Sequence, residues 1–70
     1  MLVMDYRVVD ILTADQLEIG DLIGLGNEVV KILSIETAKD GFVLLVQNDF
    51  FEKDSVEISD DEKFFLHVLD

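Results

Sequence analysis

Glu28-Val29-Val30-Lys31-Ile32-Leu33-Ser34-Ile35-Glu36-Thr37, then Lys39-Asp40-Gly41, then Phe42-Val43-Leu44-Leu45-Val46-Gln47-Asn48 is the stretch that decides the fold. Two runs dense in β-branched, aliphatic and aromatic residues flank an Asp-Gly turn, the composition of a β-hairpin. Working back from it, Gly26-Asn27 is a two-residue hairpin signal that joins Glu28 onward to a short strand, Leu22 to Leu25. Glu18-Ile19-Gly20-Asp21 turns the chain into that strand. Before it, Thr13-Ala14-Asp15-Gln16 has capping-box spacing, so a single helical turn ending near Leu17 is expected. Tyr6 to Ile11 reads as the first strand.

Working forward, Val56 to Ser59 reads as a short fifth strand and Phe64 to Leu69 as a last one. Ser59-Asp60-Asp61-Glu62 is a second capping box that would start another helical turn. Its rival makes 60–69 a helix, since Phe64, Phe65, Val68 and Leu69 also fall at helical spacing. Short strands joined by tight turns predict a mostly β chain: a small SH3-like barrel of five or six strands with one-turn helices, residues 1–70 forming a single acidic domain.

Composition sets limits on function. A 70-residue chain of this mass should expose roughly 4,400 Å² when folded against about 11,500 Å² unfolded, so its core is thin. Half of the residues are hydrophobic, which argues against disorder despite a net charge of −11. There is no cysteine, hence no disulfide and no thiolate metal site. The longest unbroken apolar run, Phe42 to Val46, falls far short of the ~20 residues of a membrane span. The N-terminus carries acid where a secretion signal would carry base. A cytoplasmic protein without a membrane partner is expected. The bases Arg7, Lys31, Lys39, Lys53 and Lys63 are scattered and outnumbered by 16 acids. Such a field opposes phosphate, so no direct nucleic-acid partner is expected.

The strands carry more apolar surface than one face needs. Strict alternation puts Val30 and Ile32 on one side of the third strand, and Val29, Leu33 and Ile35 on the other. Phe42, Leu44 and Val46 oppose Val43 and Leu45; Phe64, Leu66 and Val68 oppose Phe65 and Leu69. So small a chain cannot bury both sets. Residues 1–4 together with the Phe50-Phe51 loop, a second copy, or another protein must cover the rest.

Candidate chemistry is sparse. His67, the only histidine, sits between Leu66 and Val68, where a surface or satisfied role is the plainer reading. Ser34, Ser55 and Ser59 lack the glycine-flanked elbow of a nucleophile. Asp49, Glu52 and Asp54, with Asp60, Asp61 and Glu62, do not follow calcium-loop spacing and read as a solvated rim. Gly20, Gly24 and Gly26 have neither the spacing nor the base of a phosphate loop. No cofactor, metal or catalytic residue is expected. Phe50-Phe51, between polar neighbours, is either a lid on the barrel or an anchor for a partner.

Leu17-Glu18-Ile19-Gly20-Asp21-Leu22-Ile23, then Val29-Val30-Lys31-Ile32 and Gly41-Phe42-Val43-Leu44, resembles the Leu-x-x-Gly-Asp hairpin entry of translation-type SH3-like barrels such as the N-terminal domain of elongation factor P. It is also similar to small barrel proteins encoded by bacteriophages. The resemblance spans about residues 13–48 and implies a fold rather than an activity. The family's hairpin tip carries a modifiable lysine; here Lys39 stands there with Asp40 beside it. The two further domains that the resemblance implies are not expected within these 70 residues, and the family's RNA-binding members are basic where this chain is acidic.

The expectation is therefore a non-enzymatic interaction or structural module whose partner is another protein or a further copy of itself, as a homo-oligomer. Val29, Leu33, Phe50, Phe51 and Phe65 are its candidate contacts. The alternative is an acidic nucleic-acid mimic that occupies the basic site of a nucleic-acid-binding protein.

Overall fold

The structure, a computed structural model, describes residues 5–69. The chain is mostly β: β1 (Tyr6–Thr13), a 3₁₀ turn (Ala14–Gln16), β2 (Leu22–Leu25), β3 (Glu28–Ala38), β4 (Gly41–Gln47), β5 (Lys53–Ser59) and β6 (Lys63–Leu69). These form one six-stranded antiparallel sheet in the order β1-β6-β2-β3-β4-β5. Strands β2 to β5 are a run of hairpins, and β6 returns to lie between β1 and β2.

Local chemistry explains the joints. The Thr13 amide donates to Gln16 Oε1 at 3.0 Å, completing the capping box that starts the 3₁₀ turn. Gly26 has φ of 60°, and with Asn27 it makes the two-residue turn between Leu25 and Glu28; only glycine takes a positive φ there without steric cost. At Ser59-Asp60-Asp61-Glu62 the expected helical turn does not form. The Ser59 amide does donate to Glu62 Oε1 at 2.9 Å, but the segment is a plain turn, and residues 63–69 continue as strand rather than helix. β-forming side chains and cross-strand partners on both sides outweigh a segment too short to nucleate a helix.

That turn also shows why the sheet curls. Ser59 and Lys63 are four residues apart, a reach of at most about 14 Å. In a flat sheet β5 and β6 would lie four inter-strand steps apart, about 19 Å. The sheet must bend to bring them together. Inside the bend lie Ile23, Val30, Ile32, Leu44, Val46, Ile58 and Phe64, with Ala14 and Leu17 from the 3₁₀ segment added to the same core. Ile23, Ile32 and Leu44 are completely buried.

Two bulges set which side chains face this core. In β3 the register passes from Ile32↔Val46 to Ser34↔Leu45, leaving Leu33 as the extra residue. The bulge shifts the alternation by one, so Ile35 joins Val30 and Ile32 on the inner face. The grouping of Ile35 with Val29 and Leu33, expected from strict alternation, is thereby corrected. In β1 the register passes from Val8↔His67 to Asp10↔Leu66, leaving Val9 as the extra residue.

Candidate functional site

Residues directly opposite one another in an antiparallel ladder share a face. Following that rule across the registers places Tyr6, Val8, Ile11, Phe65, His67, Leu69, Leu22, Gly24 and Val29 on the outer face of β1, β6, β2 and β3. Val8, Ile11, Phe65 and Leu69 are exposed, as is Val9 at its bulge. Together they make an apolar area at one end of the sheet, and β1 is its unpaired border among the described residues.

His67 lies in this surface with its ring over Gly24. A Cβ at Gly24 would stand 3.1 Å from His67 Cε1, so the missing side chain makes room for the imidazole. The Tyr6 and His67 rings meet edge to face with centroids 6.4 Å apart. His67 Nδ1 lies 2.8 Å from the Phe65 carbonyl oxygen.

The β4–β5 connection is a tightly bonded loop, and Asn48 holds it. Asn48 Oδ1 accepts from the amides of Phe50 (2.9 Å) and Glu52 (3.0 Å), while its own amide donates to the Glu52 carbonyl (3.0 Å). Asn48 Nδ2 donates to Glu52 Oε1. Within this frame Phe51 has φ of 61°, a left-handed conformation that bulky residues seldom adopt. Phe50 and Phe51 are 79% and 82% exposed. The loop thus spends backbone strain on holding aromatic surface in water.

Phe51 borders a hollow of about 220 Å³ with Tyr6, Leu22, Val29, Lys31 and Asp49. Val29 also borders a second hollow with Gly24, Phe65 and His67. The candidates Val29, Phe51 and Phe65 are therefore brought to one side of the molecule. Phe50 projects from the same loop, and Leu33 is half-buried at its bulge, bordering neither hollow. Phe51 does not act as a lid over a buried face, because it is itself exposed; the segment 1–4, the other candidate cover, lies outside the described residues. Leu69, which alternation had grouped with Phe65, belongs to the same surface, and so do Tyr6, Val8 and Ile11, which escaped the sequence reading. The Val8-Val9 doublet, two adjacent apolar residues where alternation predicts one, was the available signal.

Charge is distributed unevenly. The outer strand positions hold Lys31, Lys53 and Lys63, but among acids only Glu36 and Glu57. The remaining acids sit in loops, at edges or at the mouth of the curled sheet. Among the described residues no polar or charged side chain is buried, and no group of three or more His, Cys, Asp or Glu is placed to hold a metal ion. Among the described residues no helix is long and apolar enough to cross a membrane. Comparison of the chain with protein-family models, with curated proteins and with solved structures gives no match.

Proposed function

We propose that this domain is a non-enzymatic protein-interaction module that binds through the outer face of β1, β6, β2 and β3 and the adjoining Phe51 loop. One observation carries the reading: in a chain of net charge −11 the outer strand positions around the exposed Val8, Ile11 and Phe65 hold no acid, and Asp49 and Glu28 stand only at the borders of the two hollows. Apolar surface with few like charges is what a protein partner desolvates at least cost. Aromatic residues fixed in place lose little entropy on binding, which suits them as anchors.

The test is capture by the immobilised domain from an extract of its source cells. The expected result is a saturable set of retained proteins that is lost with Phe51→Asp and with Phe65→Asp, both variants keeping the wild-type circular dichroism. Retention of the same set by all three proteins would overturn the proposal.

A second reading has its own observation. At the mouth of the curled sheet, Leu25, Val30, Val46 and Val56 line a cleft of about 420 Å³ together with three acids, Glu28, Glu52 and Asp54, and one base, Lys53. An apolar lining with an excess of carboxylates suits lysine or arginine side chains of a basic protein, the chemistry of a nucleic-acid mimic. Capture that fades steeply with added salt and survives both Phe variants would favour it.

A further inference from the structure

The edge of the sheet says more about the partner than its face does. β1 is eight residues long and pairs only with β6 among the described residues, so its other side presents backbone donors and acceptors. The Ile11 amide donates to its neighbour's carboxylate, Asp10 Oδ1, at 2.7 Å. A side chain stands there where an adjoining strand would place a carbonyl.

We propose that two copies of the chain join edge to edge through β1, antiparallel about a two-fold axis between Val8 and Val9, with Arg7 of each copy against Asp10 of the other. This rests on the reading of the domain as an interaction module and adds a second copy of the chain at the edge of its docking face.

The Val9 bulge carries the argument. In an unbroken strand Arg7 and Asp10 lie on opposite faces and cannot meet across a two-fold ladder. The bulge shifts the alternation, so Arg7 (opposite Val68) and Asp10 (opposite Leu66) lie on the same face. It does the same for Tyr6 and Ile11, both on the outer face. Setting Arg7 against Asp10 then sets Tyr6 against Ile11, and every flanking pair agrees in face. A slip of one residue mismatches the faces. A slip of two keeps them matched but sets Arg7 against Leu12. The chosen register alone pairs both charges, once in each direction, as an isologous contact requires. A guanidinium has five donors, so it can serve this carboxylate together with other partners.

Charge and surface agree with it. Two bodies of −11 repel wherever their acids face each other. The described residues of β1 itself carry one base and one acid, Arg7 and Asp10, and its outer neighbours are Val8, Ile11 and Phe65. The joined sheets would run these residues of the two copies into one apolar face, which is the docking surface of the module.

Light scattering and sedimentation of the full chain over a range of concentrations test this. The wild type should form a dimer. Arg7→Asp and Asp10→Arg should each weaken it by about tenfold or more, because both contacts become like-charge pairs. An equimolar mixture of the two variants should associate again, since each copy then supplies the charge that the other lacks. The same should hold for the double variant R7D/D10R on its own. Asp10→Arg also removes the bond to the Ile11 amide, but mixing does not restore that bond, so recovery reports the cross-copy pairing alone. A wild type that stays monomeric, a dimer indifferent to both changes, or a mixture that stays apart would each overturn the proposal. A monomer would leave the module reading standing, because its own test is capture by the Phe51 and Phe65 variants.

Discussion

The Tyr6 hydroxyl donates to Asp49 Oδ1 at 2.5 Å across 43 positions of sequence, tying the edge strand β1 to the loop that carries Phe51. That hydrogen bond links the two parts of the proposed surface. The same bond raises the Tyr6 pKa above its ordinary value, because ionising the phenol would remove the donated proton; burial and the Asp49 charge push in the same direction.

A pH dependence follows with a definite sign. A phenol whose folded pKa exceeds the unfolded value of about 10 adds stability that is fully present below that pH and is lost as pH rises through the folded value. Tyr6 is the only tyrosine and there is no tryptophan, so its near-ultraviolet titration is unobscured. The midpoint should lie above the ordinary tyrosine value and fall toward it in Asp49→Asn. Tyr6→Phe should flatten the alkaline part of the stability profile.

Phe51 should trade stability for binding. It is exposed and has positive φ, so Phe51→Gly removes backbone strain and loses little packing. Unfolding should occur at equal or higher temperature, with a gain of up to about 1 kcal/mol, while partner capture is lost. Asn48→Ala, which removes the acceptor for two loop amides, should cost about 1–2 kcal/mol. Thermal unfolding of both variants measures this.

Glycines in this sheet differ in what they tolerate. A Cβ on Gly41 would lie 1.9 Å from the Ile58 carbonyl oxygen, which belongs to the backbone of β5 and cannot yield without breaking the β4–β5 ladder. Gly41→Ala should cost about 3 kcal/mol or leave the chain unfolded. Gly24→Ala meets only the His67 ring and should cost about 1 kcal/mol, with a change in the His67 ring resonances. Denaturant titration and proton NMR distinguish the two.

The β3 bulge makes adjacent residues unequal. Ile32 is fully buried and Leu33 is half-buried at the bulge. Ile32→Ala should cost about 2–5 kcal/mol and Leu33→Ala less than half of that, read from denaturant midpoints. Near-equal losses would mean that the alternation is not broken where the register places it.

Local signals made the β architecture legible. β2 begins and ends where Gly20-Asp21 and Gly26-Asn27 demand, because each turn needs a particular backbone conformation that its own residues supply. The capping box at Thr13 and Gln16 is likewise local and formed as expected. β5 starts at Lys53, three residues before Val56, since Asp54 puts a carboxylate at the inner position opposite Val46 and so hides the alternation that the ladder to β4 enforces. The candidates Phe51, Phe65 and Val29 were legible as surplus apolar residues. Tyr6, Val8 and Ile11 were not, because their exposure depends on which strand ends the sheet.

The sequence by itself determined the mostly β class, the hairpin turns at Gly26-Asn27 and Lys39-Asp40-Gly41, the absence of disulfides and an apolar surplus in an acidic chain, all of which follow from residue type and near neighbours, and it left 60–69 open between strand and helix. Only the tertiary structure decided the bulges at Val9 and Leu33, the insertion of β6 between β1 and β2, and the gathering of exposed residues at one border. A bulge exists only relative to the strand it is paired with, and an edge only relative to the strands that do not cover it. Both are properties of the whole sheet, and no short stretch of sequence encodes them.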